Sequence, residues 1–207
     1  MRFGKMLLTA AAMLCITGVA QAQMADKYRI DKNHSEIEFS VRHMMLAKVK
    51  GNFTDFSGEI MFDESNIANS SVKVVIVTAS IDTDNEGRNK HLRSPDFFGV
   101  EKEDGTPEDP KYLEITFEST RVEKKDDKYL AHGNLNMHGV EKQVTITFEV
   151  FGPVKGRRGN VIGAEGHLTI NRKDFNINYH RLMDSGGLVV SDEVDIELMV
   201  EAGIVTE

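Results

Sequence analysis

The chain is poor in the residues that several kinds of chemistry need. Its single cysteine, Cys15, sits in an apolar N-terminal stretch. If that stretch is removed, disulfides, thiol catalysis and cysteine zinc sites go with it. Positive charge is also scarce, with 25 Lys and Arg against 33 Asp and Glu, a formal net charge of -8. That balance argues against nucleic acid and against electrostatic docking on anionic lipid, since both reward a basic patch. Past the N-terminus no apolar run approaches the roughly 20 residues of a spanning helix, which argues against stable membrane insertion. There is no G-x-S-x-G elbow, P-loop or dinucleotide fingerprint. The histidines are His34, His43, His91, His132, His138, His167 and His180, and none stands at a standard metal-ligand spacing. Only folding could gather them into a metal site.

The N-terminus is a case apart. Arg2 and Lys5 precede an almost wholly apolar run from Met6 to Val19, and Ala20-Gln21-Ala22 forms an A-x-A pattern before Gln23. This reads as a secretory signal peptide over 1–22, too short for a membrane anchor. Leu14 before Cys15 argues against lipidation. Cleavage after Ala22 would remove two cations and leave 23 basic against 33 acidic residues, a charge of -10. Residues 23–207 then form one domain of ordinary size.

What the rest has in abundance is period-two alternation, the mark of strands with one buried face. Ile37, Phe39 and Val41 alternate with Glu36, Glu38, Ser40 and Arg42. Leu113, Ile115 and Phe117 do the same, as do Val144, Ile146, Phe148 and Val150. Ala164, Gly166, Leu168 and Ile170 share one parity, and so do Val194, Ile196, Leu198 and Val200. The stretch Val49 to Phe62 is long for one strand, and Gly51 and Gly58 predict bulges or bends there. Val72 to Thr78 is apolar on both faces at Val75 and Val77, which predicts a cover over its outer side. With Tyr28 to Asp31 and Lys128 to Met137 the count reaches about eight strands, a number common among small barrels. Lys125-Asp126-Asp127 and His138-Gly139-Val140-Glu141 read as hairpin tips. Asn85 to Arg93 reads as a helix stopped by Pro95, and the acidic stretch Glu101 to Pro110 as an exposed loop. The parity specifies an all-β domain but fits a barrel or a sandwich.

Two short motifs have ordinary explanations. Asp184-Ser185-Gly186-Gly187 resembles a serine-protease nucleophile segment, and Leu130-Ala131-His132 faintly its histidine segment, but Met183 and Leu188 replace the flanking glycine and proline. A hairpin loop explains the glycines. Asp82 to Gly87 resembles the start of an EF-hand, yet the twelfth position is Arg93 where a glutamate should bind calcium. It reads as an acidic helix start. His43 continues the parity of Ile37, Phe39 and Val41, so it should point inward at a strand end, as a satisfied core histidine or a ligand contact.

Together several segments resemble the YceI-like family. They are Asp31-Lys32-Asn33-His34-Ser35-Glu36-Ile37-Glu38-Phe39-Ser40-Val41-Arg42-His43, Gly51-Asn52-Phe53, His91-Leu92-Arg93-Ser94-Pro95-Asp96-Phe97-Phe98, Gly133 to Val140, Ile170 to Phe175, and the closing strand Asp195 to Val200. The resemblance implies an extended eight-stranded antiparallel lipocalin-like barrel with one short helix. It implies export to the periplasm and a non-enzymatic carrier or storage role, with a long polyisoprenoid-type lipid in the lumen. The insert at Glu101 to Pro110, and Asn176 where glycine often follows the phenylalanine, depart from the family pattern.

No cofactor is expected, only a polyprenyl lipid or isoprenoid quinone as ligand. Inward parity joined to this likeness names Phe39, Val41, Phe56, Ile60, Val74, Ile76, Ile115, Phe117, Ile146, Phe148, Ile196 and Leu198 as the lining, with His43 and Arg93 near a polar head group. A homodimer is left open. Two rivals remain: an enzyme acting on a lipid or small molecule with His43 or His34 as base, and a solidly filled structural or stress-response interaction barrel.

The leader makes a direct prediction. Protein recovered after export should begin at Gln23, so its intact mass should lack residues 1–22. A mass that retains them would refute the cleavage site.

Overall fold

The computed structural model describes residues 25–102, 104, 106, 109–182 and 189–206. The leader and the Asp184-Ser185-Gly186-Gly187 motif therefore lie outside the described residues. The alternating segments form one antiparallel sheet of eleven strand segments among the described residues. The first six are β1 (Asp26–Ile30), β2 (Glu36–His43), β3 (Ala47–Phe53), β4 (Phe56–Phe62), β5 (Ser71–Val77) and β6 (Ile81–Asp82). The last five are β7 (Glu114–Lys125), β8 (Lys128–Met137), β9 (Val140–Gly156), β10 (Gly159–Asn171) and β11 (Val190–Ile204).

Register shows that the first six segments are three bent strands. Tyr28 of β1 pairs with Ile204, and Val41 of β2 with Val194, so β1 and β2 both run along β11. Tyr28 pairs on its other side with Ile60 of β4, and Phe39 with Gly51 of β3. Gly58 pairs with Val74 of β5, and Phe53 with Ile81 of β6. Counting each bent pair once leaves eight strands, each paired with the next, and the last closes on the first. The fold is a closed eight-stranded antiparallel barrel with one α-helix among the described residues.

The breaks are local hydrogen-bond events. At Asp31 the side chain accepts from the Asn33 N–H, and Ser35 Oγ accepts from the Glu201 N–H, so the β11 ladder is bridged by a hydroxyl. At Thr54-Asp55 the Thr54 N–H donates to Ser80 O, and Val77 N–H donates to Asp55 O. The glycines predicted to bend this strand do something else. A Cβ on Gly51 would lie 2.5 Å from the Phe39 ring and 2.7 Å from Asp82 O, so the residue permits a close cross-strand approach. The bend falls between the glycines.

Both predicted hairpin tips are turns. His138 and Gly139 have φ of 52° and 72°, the two left-handed positions of a type I′ turn. The predicted helix forms as α1 (Glu86–Arg93), with Asn85 Oδ1 accepting from the Arg88 N–H as its N-cap. The Asp82 side chain is engaged there by Asn89 Nδ2 and the Asp84 N–H, which gives the EF-hand-like segment a structural role. After Ser94 the chain folds back, with Phe98 N–H on Leu92 O, and turns Phe97 and Phe98 toward the barrel. One expectation fails: β5 has no cover at its end, and Val77 is 38% exposed.

At the barrel end away from α1, Tyr28, Ile162 and Ala202 pack with Ile60 and Phe62 as an apolar plug. Above it the loop after β4 hangs on Asp63, which accepts from the Ser65 hydroxyl, Asn69 Nδ2 and the Ser65 and Asn66 N–H groups. Those bonds hold its carboxyl down at about 2. At the α1 end, Arg172 ties the turn after β10 to the start of β11. Its guanidinium, 4% exposed, donates to Ser191 O, Ile177 O and Asp192 Oδ1 at 3.0, 2.7 and 2.8 Å. Asn176 completes that turn at φ 59°, a left-handed position that asparagine tolerates nearly as well as glycine.

Two substitution sets test this architecture. Phe117 faces in, while its neighbour Glu118 faces out and pairs with Lys73. Phe117→Asp should cost about 3 kcal/mol or more through an unpaired charge, and Glu118→Lys no more than about 0.5. Equal losses in a denaturant titration would mean the register is wrong. Arg172→Met should cost about 3 kcal/mol and open the 176–182 segment to protease, because three acceptors lose their donor. A loss below about 0.5 kcal/mol would contradict the latch.

Candidate functional site: an apolar lumen with one polar end

Barrel closure points the inward parity of every strand at one axis. The space enclosed is a cavity of about 470 Å³, within the ~300–1,000 Å³ typical of small-molecule sites. Its wall is hollow. Phe39, Val74, Ile76, Phe148, Ile196 and Leu198 point inward yet are only half-buried, because the space beside them is open. Small residues on β10 widen it: Gly163, Ala164 and Gly166 line the cavity, and a Cβ on Gly166 would already touch Ile146 and Leu198 at 3.2 and 3.4 Å.

Every residue of the predicted lining faces this cavity, including His43 at the end of β2. Arg93 does not. Its side chain, only 17% exposed, packs away from the cavity, with Nη2 2.9 Å from Glu86 and Nε 3.2 Å from Glu101. The helical residues that do reach the cavity are Arg88, His91 and Leu92. Their spacing of three and four is one face of a helix. Arg93 and Glu86, seven apart, share a different face. That periodicity was the available signal, and the motif around Arg93 obscured it.

The polar groups cluster toward α1. Thr83 is buried, donates from Oγ1 to Asn89 Oδ1 at 2.6 Å, and accepts from Arg88 Nε at 2.8 Å. Arg88 Nη2 also donates to Thr83 O at 2.7 Å, so its bonded partners are neutral oxygens. His91 contacts Asp96 through Nε2 at 3.0 Å and stands edge-on to Phe97 and Tyr179, which stack at 4.5 Å. Arg172 also lines this end. Desolvation lowers its pKa while Asp192 opposes the shift, and a guanidinium stays charged regardless. It was legible too, since 172 continues the inward parity of Leu168 and Ile170. His138, just outside, is pushed below the usual imidazole value by burial, against a bond to Phe175 O.

The other candidate base lies elsewhere. His34 sits at the break between β1 and β2, with Nδ1 2.9 Å from Asp31 and 3.9 Å from Glu201, all on the outer surface. The hydrogen bond to Asp31 raises the imidazole pKa and lowers that of the carboxyl. This exposed ion pair does not line the cavity. Among the described residues no helix is long and apolar enough to cross a membrane.

Comparison with known proteins agrees with this geometry. Residues 28–202 match the YceI-like domain. A UPF0312 protein of Pseudomonas aeruginosa is 39% identical over 203 residues, 95% of this chain and 97% of the relative. One of Yersinia enterocolitica is 39% identical over 207 residues, 96% and 97% of the two chains. The crystal structure of a Campylobacter jejuni YceI protein is 30% identical, with a TM-score of 0.64 over 80% of this chain and 90% of that one. A polyisoprenoid binding domain from Saccharophagus degradans shares the fold at 18% identity, with a TM-score of 0.60 over 88% of this chain and 100% of that one. A family match across nearly the whole described barrel, together with these relatives, places the chain in the YceI-like domain family.

Proposed function

We propose that the protein is an exported carrier or store for a long apolar lipid of polyisoprenoid type, held in the barrel lumen without chemical change. The observation that carries this reading is the hollow apolar wall. A barrel built only for stability would fill its centre with side chains. Here residues that face inward remain half-exposed around a continuous cavity. Burying a prenyl chain there is worth about 0.8 kcal/mol per CH₂ before ordering costs. The fold shared with the Saccharophagus polyisoprenoid binding domain supports the same ligand class.

The ligand has an orientation in this reading. Its tail runs toward the Tyr28–Ile162–Ala202 plug, and its head lies under α1 among His43, Thr83 and Arg88. Affinity comes mainly from the tail, so several isoprenoids should compete. The leader supports a workplace in the periplasm.

The test is thermal. Binding to the folded state alone adds about 2.7 kcal/mol at a hundredfold excess over Kd, which should raise the Tm of stripped protein by about 5 °C or more. Ala164→Phe, which puts a ring into the lumen, should weaken polyprenol binding by about tenfold or more, with a stability change under about 1.5 kcal/mol. If stripped protein takes up no polyprenol, fatty acid or quinone and its Tm is unmoved, the carrier reading fails.

A further inference from the structure

The hairpin joining β2 and β3 carries three consecutive apolar side chains on its tip. Met44 is 40% exposed, Met45 61% and Leu46 82%. Met44 and Met45 have φ of 52° and 60°. Two left-handed positions in a tight turn favour Asn and Gly, and methionine is costly there. The backbone thus has no need of these side chains. Leu182, 55% exposed, stands close by, because Met44 N–H donates to Val189 O and Val189 N–H to Arg181 O.

The charge around this tip is unlike the charge of the chain. From Arg42 to Lys50 the sequence holds Arg42, Lys48, Lys50 and His43, and no carboxylate, in a protein of net charge -8. Lys48 and Lys50 reach Asp195 and Glu38 along the outer face of the barrel, in exposed pairs that contribute little. Arg42 makes no ion pair among the described residues. Asp192, Glu193 and Asp195 at the paired start of β11 offset most of this charge. The tip therefore offers a bilayer chiefly its three exposed apolar side chains, with Arg42 beside them as the cation left for a headgroup. That is the pattern of side chains that enter the boundary between headgroups and acyl chains. The position completes the argument: His43 and Val49, at the base of the hairpin, line the lumen, as do Val189 and Val190.

From this we infer that the Met44–Met45–Leu46 tip is a docking point for a lipid bilayer. It seats the α1 end of the barrel on the membrane, so that an apolar chain passes between bilayer and lumen without crossing water. The occupant is a phospholipid surface carrying some anionic headgroups. The inference rests on the carrier reading for its purpose, but the docking itself can be measured without it.

The experiment is co-sedimentation with vesicles of phosphatidylethanolamine and phosphatidylglycerol, comparing the protein with its Met45→Asp/Leu46→Asp variant. Both positions are exposed, and aspartate tolerates a left-handed backbone better than methionine, so the variant should melt as the parent does. The parent should sediment with vesicles, and the variant should partition about tenfold less or weaker. Transfer of a fluorescent polyprenyl probe from vesicles should slow in parallel, while uptake of the same probe from solution is unchanged. The docking inference is overturned if the parent stays in the supernatant or if the variant sediments equally well. It is also overturned if the substitutions change only the oligomeric mass in gel filtration, which would make the tip a contact between two copies. Should neither protein take up probe from solution while vesicle binding still differs, docking stands and the carrier reading fails.

Discussion

The pairing of β11 with both β1 and β2 is the constraint from which the rest follows. Tyr28 against Ile204 and Val41 against Val194 join the two ends of a sheet that would otherwise expose two open edges. Closure removes those edges. It also fixes which side chains can meet, because alternate residues of all strands are forced toward one axis. Eight strands leave an interior that side chains fill only if they are large. Here β10 contributes Gly163, Ala164 and Gly166, and the centre stays open.

An open apolar centre has a thermodynamic consequence. Side chains such as Phe148 and Leu198 lack partners on one side and forgo dispersion contacts that a packed core would supply. The ends are therefore built with more care than the middle. The Tyr28 plug and the Asp63-capped loop close one end, while α1, the Phe97–Tyr179 stack and the Arg172 latch organise the other. The lining's arginine and histidine side chains gather at the second end, while Ser70 and Ser71 line the first, and at the second end the exposed hairpin rises from the rim. The proposed carrier and docking roles would then be two parts of one arrangement, in which an amphiphile enters tail first and keeps its head where donors are found.

Much of this was legible in the residues. The strand residues that inward parity named all line the cavity, although Phe53, Val122 and Leu135 line it too and were not named, and His138-Gly139 announced its turn, because both signals are set by neighbours one or two residues apart. The chain breaks were not legible. Ser35 replaces a ladder partner only because Glu201, 166 positions away, lies opposite. Gly51 and Gly58 looked like bends because glycine has two uses in a strand, and only the partner strand decides between them. Arg93 was chosen over Arg88 from a local motif, although helical spacing pointed the other way. The basic apolar tip was hidden by net charge, an average that a nine-residue segment hardly moves.

The central claim is that the lumen, which side chains leave unfilled, is a ligand site. Native mass spectrometry of the protein as isolated tests this most directly. The account predicts a species heavier than the polypeptide, which reverts to the bare mass after organic extraction and releases an apolar isoprenoid. A bare mass before extraction, with no gain on incubation with polyprenol or quinone, would contradict it.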